Sequence, residues 1–396
     1  MTTGGFSSTG LARVREVLER HVESGFAPGA VAVLGRRGEV RVEASGTLAF
    51  EGAGSGTPFS ADTICRTASM TKPMVAACAM TLVDDGTLRL DDPVDDLLPE
   101  LADMTVLVDP NGPLDDVVPA QRPITVRHLL TNTCGMGVLP TKPGKVPIVD
   151  AVNGLDYSSP DVWVRGLGEL PLVCQPGERW MYDTASNVTG VLIARATGMS
   201  FGDAFRERIC DPLGMQDTAF SVSGEDIARF ATAYQRDSTA GDEPVVDDGP
   251  DGKWSRPPVF ESGGGGLVST AQDYFAFAAA LLAGGAHRGR QVFPRPSVTL
   301  MTSDQLTPAQ REVSGFWPGY FNEMGWGFGM SVLSRPSRLG LSVGSYGWSG
   351  FYGTAWYNDP VEDLTAIFFM QRGHSGDQRL PIWRDFWTAV YQSFDG

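Results

Sequence analysis

The sequence has few residues of the types that bind metals or form disulfide bonds. Its 5 cysteines are odd in number, widely spaced and without a Cys-x-x-Cys pair, which argues against a disulfide framework and against a zinc knuckle. Its 4 histidines are equally scattered and form no His-Glu-x-x-His or comparable cluster. We therefore predict reduced, buried thiols, no metal site and no cofactor. The cysteines are Cys65, Cys78, Cys134, Cys174 and Cys210.

Basic charge and long apolar runs are also scarce. The chain has 31 Lys and Arg residues against 47 Asp and Glu residues, and its formal charge of -16 repels polyphosphate, so we expect no nucleic-acid partner. No run approaches the roughly 18 apolar residues that cross a bilayer, and the N-terminus lacks the basic and apolar regions of a signal peptide. We expect no membrane partner and a cytoplasmic location, and the sequence is compatible with a homo-oligomer.

Composition and periodicity predict a mixed α and β protein. With 396 residues and 42% hydrophobic content, the chain can bury a large core, and its length suggests two or three structural units. Residues 11–24 and 73–86 have apolar positions at helical spacing. Residues 30–34 and 39–43 are β-branched runs separated by a turn, which is typical of a hairpin. Acidic residues, glycine and proline dominate residues 236–258, which we interpret as a long solvated excursion. Further predicted elements are helices at 187–197, 201–209, 271–283 and 383–394, and antiparallel strands at 325–333, 353–357 and 364–370.

The chain contains a single Ser-x-x-Lys tetrapeptide, Ser69 to Lys72, at the start of a predicted helix. In a helix the positions i and i+3 share a face, so the ammonium would lie over the hydroxyl. Serine is a weak nucleophile that needs an adjacent base, and lysine becomes one when a buried pocket lowers its pKa from about 10.4 to about 7 or 8. On its own, the tetrapeptide fits a helix cap followed by a surface lysine better than it fits a catalytic pair.

Two further stretches contain residues suited to serve that serine. Tyr182 lies in a turn just before a predicted helix, where its phenol can project into a cleft. Residues 347–353, with the sequence Gly-Trp-Ser-Gly-Phe-Tyr-Gly, form a tight turn that enters a strand. At a helix start, Ser69 would also have an unpaired backbone N–H and the positive end of the helix dipole, and both suit a developing negative charge. Each stretch alone has a plausible structural interpretation, but their co-occurrence makes a purely structural interpretation of all three improbable.

In their order and intervals, these three stretches resemble the serine β-lactamase and penicillin-binding superfamily, most closely the class C-like carboxylesterases called family VIII. The resemblance covers nearly the whole chain. It implies that the reaction proceeds through an acyl-enzyme and uses no cofactor. The supporting stretches are residues 124–135, 213–220, 265–273 and 356–360.

The resemblance also implies a β-lactamase-like α/β (α+β) fold, with an antiparallel sheet flanked by helices and a mainly helical domain. We predict that residues 1–65 and 222–396 form the α/β domain. Residues 66–221 would form the mainly helical domain, with the active site at the boundary between the two.

The family motifs assign roles to individual positions of this chain. Ser69 would be the acylated nucleophile and Lys72 its hydrogen-bonded partner. Tyr182 would relay the proton, together with Lys72, from the serine hydroxyl to the leaving group. The backbone N–H groups of Ser69 and Phe351 would form the oxyanion hole, and one such donor is typically worth about 10² to 10³ in rate.

Departures from the family pattern favour neutral esters as substrates. In the lactamases and peptidases the third motif reads Lys-Thr-Gly and its cation helps to bind a substrate carboxylate, whereas residues 348–350 read Trp-Ser-Gly and put an indole there. The second motif usually reads Tyr-x-Asn, and here Thr184 replaces the amide that would bind an acylamino side chain. We therefore predict a carboxylesterase whose partner is a small-molecule ester, with Trp317 or Trp326 as further aromatic residues near an apolar pocket. The predicted substrate-binding residues are Trp348, Ser349, Gly350, Tyr352 and Thr184.

Several alternatives remain open on the sequence alone. A β-lactamase or D-amino-acid peptidase and an acyltransferase would use the same acyl-enzyme, and a non-catalytic protein can share the fold. Residues 198–202 also match Gly-x-Ser-x-Gly, the nucleophile elbow of α/β-hydrolases, with His287 and His374 after it. The elbow must join a strand to a helix. Because Gly198 suits a helix end and Ser200 suits the N-cap of the next helix, we favour the structural interpretation.

Overall fold

The computed structural model describes residues 5–139, 144–236, 243–337, 339–373 and 381–395, so His374 of the alternative triad lies outside the described residues. Within these ranges no helix combines the length and the apolar character needed to cross a membrane. The helices are α1 (Ser8–Glu23), α2 (Thr71–Asp84), α3 (Val126–Leu130), α4 (Pro147–Asn153), α5 (Pro160–Gly168), α6 (Thr184–Thr197), α7 (Phe201–Phe205), α8 (Asp211–Leu213), α9 (Ala271–Leu282), α10 (Arg295–Met301), α11 (Pro308–Glu312) and α12 (Pro381–Tyr391). The strands are β1 (Gly29–Arg36), β2 (Glu39–Gly46), β3 (Cys65–Arg66), β4 (Thr105–Leu107), β5 (Val117–Pro119), β6 (Ala233–Arg236), β7 (Pro244–Asp248), β8 (Val268–Ser269), β9 (Ala286–His287), β10 (Arg290–Gln291), β11 (Met324–Trp326), β12 (Ser331–Leu333), β13 (Tyr346–Ser349), β14 (Ala355–Asp359) and β15 (Leu364–Met370).

A seven-stranded antiparallel sheet joins the two ends of the chain. Its order is β11-β12-β13-β14-β15-β1-β2, so the C-terminal strands pair with the N-terminal hairpin through β15 and β1. The hairpin closes at Arg37 and Gly38, which both have positive φ, as a two-residue turn between twisted strands requires. The antiparallel sheet flanked by helices, which the resemblance implies, is confirmed.

Helices cover both faces of this sheet. All eight residues of β1 are buried, with Val31 and Val33 in the core on one face and Ala32 and Leu34 in the core on the other. Helices α1 and α12 pack together on the second face, whereas α9 packs against the first. A strand covered on both faces needs apolar side chains at successive positions, which explains why β1 has a near-continuous apolar run rather than an alternating one.

Helix α2 is buried on nearly every side. It packs against α6, α7 and α10, and it shares one hydrophobic core with α9 and the first face of the sheet. A helix in that position is apolar all round rather than amphipathic, and small side chains such as Ala76, Ala77 and Ala79 let its neighbours approach. Because Lys72 lies in the first turn, the packing of α2 carries its side chain into the interior.

The prediction of a solvated excursion holds for most of residues 243–258, which are exposed or half-buried, but it is wrong for Asp248, while residues 237–242 lie outside the described part of the chain. Strand β7 pairs with β6, and Asp248 at its end is only 8% exposed. Its carboxylate accepts hydrogen bonds from two nitrogens of Arg66, whose side chain is fully buried. A buried guanidinium requires a paired carboxylate, so an acidic residue that suggested solvent exposure is instead internal.

The single strand predicted at residues 325–333 is also wrong. Two short strands, β11 and β12, are joined by a turn in which Gly327 N donates to Met330 O at 2.9 Å. Gly329 in this turn has a φ of 71°, and a Cβ there would lie 2.6 Å from the carbonyl oxygen of Lys72. The chain therefore turns here because its backbone passes directly over the start of α2, an approach that only glycine permits.

A buried asparagine in β14 connects the strands of the sheet to α9. Asn358 is fully buried, and both ends of its side-chain amide are used. The amide nitrogen donates to two acceptors and the amide oxygen accepts from two donors. The partners are Ala278 O at 2.7 Å, Tyr346 Oη at 3.1 Å, Trp356 Nε1 at 3.0 Å and Thr365 Oγ1 at 2.9 Å.

Replacing this asparagine is expected to destabilise the fold. Asn358→Ala leaves buried donors and acceptors without partners, at about 1 to 3 kcal/mol for each such group. We expect urea denaturation to show a loss of at least about 2 kcal/mol in the free energy of unfolding. Asn111→Ala, at an exposed position, serves as the control and should change that free energy by less than about 0.5 kcal/mol. Equal effects of the two substitutions would contradict this account of the amide.

Candidate active site

Ser69 lies in a single turn of 3-10 helix, Ala68–Met70, directly before α2. Ala68 has a φ of 47°, a left-handed value that is uncommon outside glycine. The first backbone N–H groups of a helix have no partner within the helix and lie at the positive end of its dipole. The half-buried hydroxyl of Ser69 therefore lies at the positive end of the α2 dipole, which suits a developing negative charge.

The side chain of Lys72 reaches three oxygen atoms from three separate segments. Its Nζ lies 3.2 Å from Ser69 Oγ and 2.7 Å from Asp183 Oδ1, and it also donates to the carbonyl oxygen of Gly264. Lys72 is only 1% exposed, so these groups replace the hydration of its ammonium. The Ser69–Lys72 contact that the tetrapeptide predicts is present in the structure.

The pKa of Lys72 shifts in the direction opposite to the one that the sequence predicts. Burial lowers the pKa of Lys72, because the ammonium loses its water, but the Asp183 carboxylate and then the Tyr182 phenol outweigh burial and raise it. In the free protein these contacts therefore oppose the loss of a proton from Lys72 that its role as a base requires. Asp183 adjoins Tyr182 in the sequence, but its contact with Lys72 depends on an unusual backbone conformation, with a φ of 91°.

Tyr182 lies between the ammonium and a wall of aromatic rings. Lys72 Nζ is 4.4 Å from the centre of the Tyr182 ring, and Trp348 Nε1 donates to its hydroxyl at 2.7 Å. The rings of Trp180, Phe316 and Trp348 are centred 5.6, 5.0 and 5.5 Å from that of Tyr182. Burial raises the pKa of Tyr182 and the ammonium only partly offsets it, so the phenol is neutral near pH 7.

The turn after β13 packs directly against the segment that carries Ser69. A Cβ at Gly350 would lie 2.2 Å from the carbonyl oxygen of Thr67, so only glycine lets the two backbones approach this closely. Thr354 Oγ1 donates to the same oxygen at 3.1 Å. Strand β13 itself contacts the 3-10 turn Ala68–Met70 that carries Ser69. The oxyanion role of the Phe351 N–H stays a prediction.

Several predicted substrate-binding side chains are largely buried. Trp348, Tyr352 and Thr184 are 7%, 5% and 7% exposed. Trp348 binds Tyr182, and the Tyr352 hydroxyl donates to Asp247. Their predicted contact with substrate is untested, but their burial indicates that each also positions its neighbours.

Other predicted aromatic residues differ strongly in exposure. Phe351 is 44% exposed and Trp317 is 45% exposed, so both offer ring surface to solvent. Trp326 is fully buried and packs edge-on against Trp348 with ring centres 4.7 Å apart, while Ser349 is half-buried. Of the predicted aromatic residues, Trp326 and Trp348 are therefore buried against each other, whereas Phe351 and Trp317 are exposed.

The sequence analysis did not assign roles to Asp183, Gly264 or Asn187. Asn187 Oδ1 accepts hydrogen bonds from Gly264 N at 2.9 Å and from Ser262 Oγ at 2.8 Å. These bonds position the glycine run, residues 263–266, so that the Gly264 carbonyl faces Lys72. Four consecutive glycines were the available signal, since such a run indicates a close approach of two backbones.

The nucleophile-elbow alternative fails on local structure. Gly198 ends α6 with a left-handed φ of 69°. Ser200 is the N-cap of α7, where its hydroxyl accepts a hydrogen bond from Asp203 N at 3.0 Å. An elbow would need a strand before the serine. The structural interpretation of residues 198–202 is confirmed.

Comparisons with known proteins agree with this fold. A family model described as Beta-lactamase matches residues 14–386. Protein Rv1367c of Mycobacterium tuberculosis is 37% identical over 91% of this chain and 88% of that protein. Esterase EstB of Burkholderia gladioli is 31% identical over 92% of this chain and 91% of that protein. The solved structure of simvastatin synthase LovD from Aspergillus terreus aligns with a TM-score of 0.80 at 25% identity, covering 97% of this chain and 98% of that chain.

A methyl group at Gly350 is expected to separate the turn after β13 from Ser69. It would lie 2.2 Å from Thr67 O and 2.3 Å from Thr354 Oγ1, so the turn must move away. For Gly350→Ala we expect the rate constant of Ser69 labelling by a neutral fluorophosphonate to fall at least about 10²-fold, the typical effect of losing one oxyanion donor. Gly56→Ala, at a glycine with open space around it, is the control. Unchanged labelling of a folded Gly350→Ala protein would show that the close approach is unimportant.

Proposed function

The chain belongs to the beta-lactamase family, and on that premise we propose that it is a carboxylesterase of the family VIII type that cleaves small neutral esters through an acyl-enzyme on Ser69. The observation that carries the proposal is the hydrogen bond from Trp348 Nε1 to the Tyr182 hydroxyl, 2.7 Å long, beside the Ser69–Lys72 pair. The indole of Trp348 thus stands at the position of the third motif where lactamases and peptidases have a lysine. The similarity to an esterase across nearly the whole chain supports the same proposal.

The proposed reaction has two steps. Ser69 Oγ attacks the ester carbonyl carbon while its proton passes to the amine form of Lys72. Tyr182 then relays a proton from Lys72 to the leaving oxygen, so that the alcohol departs neutral as the carbon–oxygen bond breaks. In the second step water loses a proton to the same relay and attacks the acyl carbonyl, and Ser69 Oγ leaves with a proton. In both steps the N–H groups of Ser69 and Phe351 would stabilise the oxyanion.

The charges around Ser69 favour a neutral substrate. The Asp183 carboxylate lies 2.7 Å from Lys72 Nζ with 42% of its side chain exposed. A substrate with its own carboxylate close to the scissile bond would therefore meet a like charge, which disfavours binding. The indole of Trp348 offers no compensating positive charge. We propose that these two side chains discriminate against β-lactams and D-peptides, whose carboxylates lie near the reacting carbonyl.

Removing the nucleophile is expected to abolish ester turnover. Ser69→Ala should lower kcat/KM for p-nitrophenyl butyrate by at least about 10³-fold, since a nucleophile and its base act as one unit. Ser200→Ala is the matched control, because it removes the serine of the Gly-x-Ser-x-Gly stretch and should affect stability by about 1 kcal/mol without affecting kcat/KM. Retained turnover in Ser69→Ala, or loss only in Ser200→Ala, would refute the assignment.

The charge of the substrate provides a second test. We expect kcat/KM for p-nitrophenyl butyrate to exceed that for p-nitrophenyl hemisuccinate, which adds a carboxylate, by at least about tenfold, the effect of roughly 1.4 kcal/mol of repulsion. Nitrocefin should be a still poorer substrate. Turnover of nitrocefin comparable with ester turnover would favour a β-lactamase instead. If an added alcohol acceptor captures most of the acyl group, the protein is an acyltransferase.

A further inference from the structure

We propose that Asp183 is a positioning residue that directs the reactive electron pair of Lys72 at Ser69 and sets the pH range in which Lys72 can act as a base. The proposal deepens the proposed function and rests on it, because it concerns the base that activates Ser69. No family motif assigns this role to the position after the tyrosine. The contacts of Lys72, the backbone of Asp183 and the charges around them support it.

The partners of Lys72 determine where its electron pair must lie. An ammonium has three N–H donors, and here they meet Asp183 Oδ1, the Gly264 carbonyl oxygen and Ser69 Oγ, with the Tyr182 hydroxyl as a further partner. A carboxylate and a carbonyl can only accept hydrogen bonds, whereas a hydroxyl can also donate one. When Lys72 loses a proton, its two remaining N–H groups therefore stay with Asp183 and Gly264. The electron pair then faces the hydroxyl groups of Ser69 and Tyr182, and Ser69 Oγ lies 3.2 Å from Lys72 Nζ.

Asp183 contacts Lys72 instead of forming the N-cap hydrogen bond that its position before α6 would allow. Asp183 is the N-cap residue of α6, where an aspartate ordinarily accepts a hydrogen bond from the first turn of its own helix. Its side chain makes no such bond, whereas Ser200 and Thr270 do cap the helices that follow them. Its φ of 91° is also rare for a residue with a side chain. An unusual backbone conformation thus directs the carboxylate to Lys72 instead of to its own helix.

The charge of Asp183 affects when Lys72 becomes a base. On the α6 side, the titratable groups that face Lys72 are the Asp183 carboxylate and the Tyr182 phenol. Among the described residues, the glycine run (residues 263–266) and the Gly329 turn meet Lys72 through backbone atoms, and the first turn of α2 has no acidic residue. Removing the carboxylate leaves burial as the main influence, and burial lowers the pKa of Lys72. The rising limb of the pH profile should then move to lower pH.

Lysine NMR can test this proposal without any substrate. The sequence has four lysines, so protein labelled with [¹³C]lysine gives few signals, which single Lys→Arg substitutions outside Lys72 can assign. In the unsubstituted protein we expect Lys72 to titrate above the ordinary range of a lysine side chain. In Asp183→Asn its titration should move down by about 1 to 3 pH units, the usual effect of a neighbouring opposite charge. Asp183→Gly, which suits the positive φ, provides a second variant.

The control is Asp85→Asn, at the far end of α2. The Asp85 side chain is 41% exposed and pairs with Arg208, so the control removes an aspartate of nearly the same exposure as Asp183. It should leave the titration of Lys72 unchanged. An unchanged titration of Lys72 in both Asp183→Asn and Asp183→Gly would overturn the proposal.

Labelling kinetics test the direction of the electron pair. The rate constant of Ser69 labelling by a neutral fluorophosphonate should rise with pH as Lys72 loses its proton. In Asp183→Asn this rise should occur at lower pH than in the unsubstituted protein, and the new amide oxygen can still accept a hydrogen bond from Lys72. Asp183→Gly should show the same shift with a lower plateau, because the electron pair is no longer directed. A plateau equal to that of Asp183→Asn would overturn the positioning role. Absence of ester turnover in the unsubstituted protein, with the NMR shift present, would count against the proposed function alone.

Discussion

The buried ammonium of Lys72 is the interaction on which the arrangement of this site depends. A charge in a protein interior is costly unless it is paired and hydrogen-bonded, and Lys72 is 1% exposed. Its partners Ser69, Asp183 and Gly264 come from the turn before α2, the residue before α6 and the glycine run (residues 263–266). Because these partners lie in three segments, compensation of the charge brings Ser69, Asp183 and the glycine run together in the folded protein. The same pairing with Asp183 raises the pKa of Lys72 against the opposing effect of burial.

The aromatic rings around Tyr182 determine the polarity of the part of the site that faces away from Lys72. Tyr182 is surrounded by rings and accepts a hydrogen bond from Trp348 Nε1, so its hydroxyl is oriented by a neutral donor. The close approach of Gly350 to Thr67 fixes the turn that follows Trp348 against the segment of Ser69. A neutral donor orients the phenol without adding a positive charge for a substrate carboxylate. The proposed preference for neutral esters therefore rests on the same contact that positions Tyr182.

Features that depend on local pattern could be predicted from the sequence, and features that depend on tertiary pairing could not. The Ser-x-x-Lys spacing predicted the Ser69–Lys72 contact, and apolar periodicity predicted α2, α9 and the strands at both chain ends. Asp183 and Asp248 appeared in the sequence as ordinary acidic residues. Their roles depend on buried cations, Lys72 and Arg66, that lie far away along the chain. Sequence patterns alone therefore could not predict the direction in which the pKa of Lys72 shifts.

The central claim, that an acyl group of the substrate passes through Ser69, is tested most directly by trapping that intermediate. The protein is mixed with a slowly hydrolysed neutral ester, quenched in acid during turnover and digested, and the peptide that retains the acyl mass is sequenced by mass spectrometry. The account predicts the acyl group on Ser69 in the unsubstituted protein, at a level that decays as the ester is exhausted. An acyl group on Ser200 or any other residue, or turnover with no trapped acyl group under conditions that trap a known acyl-enzyme, would contradict it.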